Sequence, residues 1–273
     1  MGRVDPTAPS TTFPPGIGPA PSQTSAFIRC PRLWALSGVL TPRESWTPHM
    51  LAGQALHRAL EILLRPGSTV AEALDSGVNM LRLGWKPTGE WTLEGVEEHV
   101  KRGIRRLSKD RSDFIPEGSE ILGTEMCLDH QNHTPEASAI PGTCAIADLI
   151  IREPDGRVTI VDLKTKLSSE MRWVERDLRF LPADHQLWDY TFRYTQMAHE
   201  MPARFRKVFL VCSPKVFILP GEVEVTVEGL RQWRLSTRDG WYQMGMGKQA
   251  SYDRMNHHSC SAFGGCPMQF HCL

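Results

Sequence analysis

The sequence predicts a mixed α/β protein in which a helical region precedes a β-sheet core. Amphipathic helical patterns fill residues 49–109. Apolar, β-branched strand patterns begin at residue 121 and continue on both sides of a helical stretch at 184–199. Because 273 residues can bury one full hydrophobic core, we expect a single large domain from residue 24 to 273.

Composition and charge narrow the class of protein. The chain carries 31 basic and 31 acidic residues, so a nucleic-acid partner would need a local basic patch. It has no apolar run of about 18 residues, which a membrane helix requires, and its N-terminus has no secretory pattern. We therefore expect a cytoplasmic protein with no membrane partner. Residues 1–23 are rich in Pro, Ser, Thr and Gly and are expected to be a disordered tail.

The helical region, about residues 24–115, is followed by a core at about 119–245 and a cysteine-rich tail at 246–273. Its predicted helices span 25–36, 49–65, 69–84 and 91–109. On the second of these, Gly53 and His57 lie four residues apart and therefore share a face.

The core is predicted to contain four strands or more. The strand patterns cover 121–128, 143–151, 157–164 and 207–213, with one or two edge strands over 216–227 broken at Pro220-Gly221. Helices are predicted at 184–199 and near 228–244. The turn Pro154-Asp-Gly-Arg157 joins the second and third strands as a hairpin.

Charged residues interrupt two of these apolar strands. Asp162 and Lys164 lie two apart on the third strand and therefore point to the same face. A structural ion pair is one explanation, and a metal-binding Asp beside a catalytic Lys is another. The hairpin would also bring Asp148 close to Asp162. Two opposed carboxylates repel each other unless a divalent cation lies between them.

Carboxylate oxygens favour Mg²⁺ or Mn²⁺ as that cation. His57 could add a nitrogen ligand, although a lone helical histidine is more often structural. Glu125 could orient a water molecule or contact a second metal ion, and Lys164 could stabilise charge at a phosphate. The set is typical of metal-assisted hydrolysis of a phosphodiester.

Five ordered motifs resemble those of the PD-(D/E)XK nuclease superfamily, and in particular its RecB-like branch. They are Gly53-Gln-Ala-Leu-His57, Gly123-Thr-Glu125, Ala147-Asp148, Asp162-Leu163-Lys164 and Gln186-Leu-Trp-Asp-Tyr190. Ala145 and Ala147 depart from the second motif, which usually has Gly and Pro at these positions. The resemblance implies a restriction-endonuclease-like mixed sheet flanked by helices.

The resemblance also implies roles for individual residues. The metal ligands would be His57, Asp148, Asp162 and the main-chain carbonyl of Leu163. Lys164 would be the catalytic lysine, and Gln186 and Tyr190 would position the DNA strand or that lysine.

The implied activity is that of an Mg²⁺- or Mn²⁺-dependent deoxyribonuclease. We expect an exonuclease acting on single-stranded or frayed DNA in recombination, repair, phage replication or CRISPR adaptation, with proteins of those systems as partners. The alternatives are a non-catalytic DNA-binding or assembly module of the same fold and a zinc-binding interaction protein. The presence of all the catalytic residue types favours an enzyme.

Five basic residues on one helix form a candidate DNA-binding surface. They are Lys101, Arg102, Arg105, Arg106 and Lys109. A run of this kind is more often a solvated helix face, and both interpretations stay open. Stacking of bases on Trp85, Trp91, Trp173 or Trp188 is a further possibility, although core packing is the better default for most of them.

Three cysteines near the C-terminus, Cys260, Cys266 and Cys272, are each separated by five residues. With Cys30 as a fourth ligand they resemble the structural 4Fe–4S arrangement of RecB-like nucleases such as the AddB subunit and CRISPR-associated nucleases. Zinc is the alternative, with nearby histidines as ligands. Cys127, Cys144 and Cys212 lie in strand-like segments and are expected to be core thiols.

Overall fold

The computed structural model of the protein describes residues 47–86, 91–128, 145–167, 171–212 and 215–245, with side chains up to residue 236. The helices are α1 (Pro48–Leu63), α2 (Val70–Gly84), α3 (Leu93–Lys109), α4 (Met171–Arg179), α5 (His185–Ala198) and α6 (Val227–Gly245). The strands are β1 (Glu120–Cys127), β2 (Ile146–Arg152), β3 (Val158–Lys166), β4 (Arg204–Val211) and β5 (Phe217–Glu224). The expected helix at 25–36 and the cysteines Cys30, Cys260, Cys266 and Cys272 lie outside the described residues.

The first three helices begin at threonine caps and pack against one another. Thr47, Thr69 and Thr92 each accept a hydrogen bond from a backbone N–H in the first turn. Close approach of α1 and α2 requires a glycine, since a Cβ atom on Gly77 would lie 2.9 Å from the main-chain oxygen of Ala55. These helices therefore form one tight unit beside the sheet.

The five strands form one mixed sheet in the order β1-β2-β3-β4-β5. All neighbours are antiparallel except β3 and β4, which are parallel because α4 and α5 cross over between them. The predicted hairpin between β2 and β3 is confirmed. Its turn contains Gly156 with φ of +82°, a conformation that glycine adopts readily.

Residues alternate between the two faces of the sheet. Leu149, Val161 and Leu163 belong to the core that the sheet shares with α1–α3. Ile160 belongs to the opposite core, where Tyr190 of α5 also lies. Because Asp162 and Lys164 follow Ile160 at intervals of two, they belong to the α5 face.

Most predicted elements are confirmed within a few residues, but three expectations were incomplete or wrong. Helix α4 was not predicted, because it is short and has Val174 as its one buried residue. Strand β5 runs unbroken through Pro220-Gly221, since an edge strand tolerates a proline. Cys212 is a buried free thiol as expected, whereas Cys127 is disulfide-bonded. Within the described ranges, no helix has the length and apolarity needed to cross a membrane.

Candidate functional site

The two acidic residues Asp148 and Asp162 lie where β2 and β3 separate. The paired positions of these strands end at Leu149 and Val161. On each strand, the acid is the next residue in the direction away from the hairpin turn. Beyond that point the backbone N–H of Leu163 donates to Asp148 Oδ2 at 2.6 Å. Strand β2 stays paired with β1, so the separation opens a fork between β2 and β3 that is lined with carboxylates.

His57 of α1 lies at this fork and contacts both of its strands. Its Nε2 atom lies 3.0 Å from the main-chain oxygen of Leu163. Its Nδ1 atom lies 3.3 Å from Asp148 Oδ1 and 3.2 Å from Glu125 Oε1. Ligand-type atoms of His57, Glu125 and Asp148 all lie within 4.8 Å of one another, which is a spacing that one metal ion could bridge.

Glu125 is brought to this cluster by an unusual backbone conformation. It lies on β1 between positions paired with Leu149 and Ala147, and therefore opposite Asp148. Its φ of +47° is in the left-handed region, which few residues other than glycine adopt. Strain of this kind is found at functional sites, where the surrounding structure must hold it.

The two carboxylates keep His57 protonated. Burial disfavours the imidazolium, but hydrogen bonds and charge from Asp148 and Glu125 outweigh burial and raise the pKa of His57 to about 10. In turn, although burial opposes ionisation, His57 holds the pKa of Asp148 below its ordinary value. The proton on His57 thus supplies positive charge beside two carboxylates, and a bound cation would neutralise the same negative charge.

Asp162 has an incomplete set of partners. The side chain is fully buried, and Oδ1 accepts a hydrogen bond from Lys164 Nζ at 2.8 Å. Oδ2 is buried and has no hydrogen-bond partner within the described part of the chain. Burial raises the pKa of Asp162. A buried carboxylate oxygen without a donor is costly, and a divalent cation would satisfy it.

Lys164 is charged in this environment. Burial works against its ammonium group, but Asp162 and then Asp148 outweigh burial and raise the pKa of Lys164. The Lys164 side chain is about a third exposed (34%). It can therefore meet a substrate and pair with Asp162 at the same time.

Helix α5 carries the two remaining predicted residues. Gln186 Nε2 donates to the Tyr190 hydroxyl at 2.7 Å, so the two side chains act as one unit. Tyr190 is buried, and burial together with the charges of Asp162 and Asp148 raises its pKa. Tyr190 packs in the same core as Ile160 and therefore lies on the face of the sheet to which Asp162 belongs.

Sequence comparison identifies the family. The sequence model of the PD-(D/E)XK nuclease superfamily matches residues 20–272. The chain belongs to this superfamily of nucleases. No curated protein matches the nuclease in sequence.

Solved structures add a likeness of fold. A candidate exonuclease from Eubacterium rectale superimposes with a TM-score of 0.55 at 13% identity, covering 93% of the nuclease and 87% of that chain. The structure of LHK-Exo in complex with dAMP gives a TM-score of 0.33 at 10% identity, covering 73% of the nuclease and 93% of that chain. The first likeness supports the nuclease fold.

The geometry of the nuclease differs from the expected ligand set in one respect. His57, Asp148 and the carbonyl of Leu163 lie close together, but the cluster includes Glu125 instead of Asp162. The reason is that Asp162 turns one oxygen to Lys164 on its own strand. PD-(D/E)XK nucleases use divalent metals, and the donor set fits such an ion, because Asp162 Oδ2 has no hydrogen-bond partner among the residues that the structure describes.

Two charged residues near the site were missed. Lys207 of β4 is opposite Asp162 in the parallel pairing and is nearly buried. Its ammonium group contacts Asp184 Oδ2, while Asp184 Oδ1 caps α5 by accepting from the Gln186 N–H at 2.8 Å. A lysine inside an apolar strand was the signal that could have revealed this anchor of α5.

The basic cluster on α3 is largely paired within its own helix and its cap. Lys101 contacts Glu97, Arg102 approaches Glu98 at 3.9 Å, and Arg106 pairs with Asp110. Of the five, Arg105 and Lys109 are exposed and the other three are partly buried. This arrangement favours the solvated-face interpretation over a DNA-binding one.

Proposed function

We propose that the protein is an Mg²⁺- or Mn²⁺-dependent exonuclease of the RecB-like branch that hydrolyses phosphodiester bonds of single-stranded or frayed DNA. The supporting observation is the fork between β2 and β3. It joins a histidine, several carboxylates, a partly exposed lysine and one carboxylate oxygen that has no hydrogen-bond partner in the described ranges. A structural ion pair between Asp162 and Lys164 accounts for only two of these features.

The metal would be held by His57, Asp148, Asp162 and the carbonyl of Leu163, with Glu125 beside them. When bound, the ion would lower the pKa of a water molecule and polarise the phosphate. Loss of the His57 proton would free a ring nitrogen for the ion. Lys164 would place its ammonium group against the phosphate and stabilise the charge that develops there. Gln186 and Tyr190 would position Lys164 or the strand.

We assign α4, and not α3, as the surface that binds the DNA strand. Helix α4 follows the catalytic strand directly, and Asp177 lies 4.0 Å from Lys166 at the end of β3. The partly exposed ring of Trp173 lies under the guanidinium groups of Arg172 and Arg176, at 5.4 and 4.4 Å. A surface that combines arginines with an aromatic ring is typical of proteins that bind single strands.

The four cysteines Cys30, Cys260, Cys266 and Cys272 would hold a structural 4Fe–4S cluster that ties the chain ends together. The family match from residue 20 to 272 includes all four positions. Protein purified without oxygen should show the visible absorbance of an iron–sulfur cluster and contain iron. Zinc in place of iron would contradict this part of the proposal. The same resemblance also implies a role in recombination, repair, phage replication or CRISPR adaptation, with partner proteins from those systems.

Cleavage of labelled DNA tests the activity. The wild-type protein should degrade linear single-stranded DNA with Mg²⁺ or Mn²⁺ and should not act with a chelator present. Lys164→Ala and Asp162→Ala should be folded and inactive. Lys109→Ala is the matched control and should keep its activity, because Lys109 is an exposed lysine of α3 and belongs neither to the fork nor to α4.

The form of the DNA separates two kinds of nuclease. An exonuclease should leave circular single-stranded DNA intact while it degrades the linear form. Cleavage of both forms would indicate an endonuclease. Activity that survives in both Lys164→Ala and Asp162→Ala would show that the site is assigned wrongly.

A further inference from the structure

A groove of about 460 Å³ opens beside the candidate metal ligands. One face of α1 forms its floor, and Met80 of α2 and Glu125 of β1 form its sides. His57 also lines the groove, so the groove connects directly with the fork between β2 and β3. Its volume is within the range of roughly 300–1,000 Å³ that small-molecule sites occupy.

Gly53 lies on the floor of this groove, and packing against the described residues does not explain it. A Cβ atom on Gly53 would have no described neighbour within 4 Å. By contrast, Cβ atoms on Gly77 and Gly103 would lie 2.9 Å and 2.8 Å from their nearest neighbours. A glycine inside a helix destabilises it relative to alanine. The helix therefore carries a destabilising residue whose one visible effect is to keep the groove open.

The walls of the groove suit a flat, partly polar group. Met50 and Met80 are 49% and 36% exposed, and thioether side chains pack well against aromatic rings. Gln54 offers an amide that can both donate and accept hydrogen bonds. This combination of apolar faces and one amide is what a nucleobase requires.

The charged residues of the groove do not favour a second metal ion there. Both carboxylate oxygens of Glu61 are engaged, one by Arg58 and the other by Arg65. Arg58 also donates to the hydroxyl of Ser76. Glu61 therefore has no oxygen left for a metal ion, and the open part near Gly53 is left to an uncharged group.

We propose that the groove binds the base of the nucleotide next to the scissile phosphate. This inference rests on the proposed function, because the groove leads to the site where that phosphate would bind. The base would lie over Gly53 between Met50 and Met80, and Gln54 would contact its edge. The contact is tolerant of base identity, since every base has an apolar face.

Binding measurements on Gly53→Leu test the proposal. The probes are one purine and one pyrimidine deoxynucleoside 5′-monophosphate, with 2-deoxyribose 5-phosphate as the base-free control, each titrated calorimetrically with Mn²⁺ present. Wild-type protein should bind both nucleotides at least about tenfold more tightly than the sugar phosphate, given the apolar surface that a base would bury. Gly53→Leu fills the groove and should remove this difference while binding of the sugar phosphate is unchanged.

Two results would overturn the proposal. One is equal binding of nucleotides and sugar phosphate by the wild-type protein. The other is a Gly53→Leu variant that retains the preference for nucleotides or weakens all three probes alike. Failure of the proposed function is separate, because it would appear as wild-type protein that cleaves no DNA while the base preference in binding remains.

Discussion

Two helix glycines provide a matched pair of substitutions with opposite expected effects. Gly53→Ala adds a methyl group that meets no described atom within 4 Å, so the gain in helix propensity of about 1 kcal/mol should appear in full. Gly77→Ala gains the same propensity, but its Cβ would lie 2.9 Å from the Ala55 oxygen and 3.0 Å from Ile104 Cδ1. Overpacking of this kind costs about 1–3 kcal/mol, so the net effect should be destabilising or near zero.

Thermal unfolding followed by circular dichroism measures this difference. For a domain of this size, 1 kcal/mol corresponds to a shift in Tm of roughly 2–4 °C. Gly53→Ala should therefore raise the Tm by roughly 2–4 °C, and Gly77→Ala should leave it unchanged or lower it. A lower Tm for Gly53→Ala would mean that Gly53 is required for packing, and the argument for a base-binding groove would fail with it.

Three other substitutions test separate parts of the structure. Trp173→Ala should weaken binding of single-stranded DNA by roughly 5- to 150-fold, which is the loss expected for one stacked base. Unchanged binding in a fluorescence anisotropy titration would show that α4 is not the surface that binds the strand. Asp148→Asn should lower the affinity for Mn²⁺ by at least roughly tenfold in calorimetry, and a wild-type affinity would exclude Asp148 as a ligand. Asp184→Asn should make the protein less sensitive to acid. Although burial opposes ionisation of Asp184, Lys207 holds the pKa of this carboxyl below its ordinary value of 3.8. The stabilisation from the ionised carboxylate is therefore present at neutral pH and is lost as the pH falls through that lowered pKa. The Tm of the wild type should then fall more steeply below pH of about 4 than that of the variant, and parallel curves would contradict this assignment.

The pattern of charges within apolar strands was enough to locate the candidate site. Asp148, Asp162 and Lys164 stood out because an apolar strand rarely contains charge, and alternation with a hairpin placed them together. The structure adds the separation of β2 and β3 at these residues, which no residue pattern indicates. It also shows that one oxygen of Asp162 has no hydrogen-bond partner within the described part of the chain, which depends on the positions of side chains from several elements.

The features that were missed depend on contacts between distant parts of the chain. Helix α4 is only nine residues long, although Met171, Val174 and Leu178 recur at helical spacing, and it is held in place by packing of Val174 against Phe209 and Val211 of β4. Glu125 was expected to orient a water molecule or contact a second metal ion, but its place beside His57 depends on a left-handed backbone conformation that the sequence does not indicate. The meaning of Gly53 was also hidden, since only the structure shows that no neighbour crowds it.

The rate of DNA cleavage as a function of Mn²⁺ concentration tests the central claim most directly. The measurement compares wild-type protein with Lys164→Arg, which keeps the positive charge beside the buried Asp162 but moves it from its position at the fork. We predict saturable, metal-dependent cleavage of linear single-stranded DNA by the wild type, and a loss of roughly 10²- to 10⁴-fold in the variant with little change in metal affinity. Cleavage that persists with a chelator present, or an undiminished rate in Lys164→Arg, would contradict a metal-dependent nuclease site at this fork.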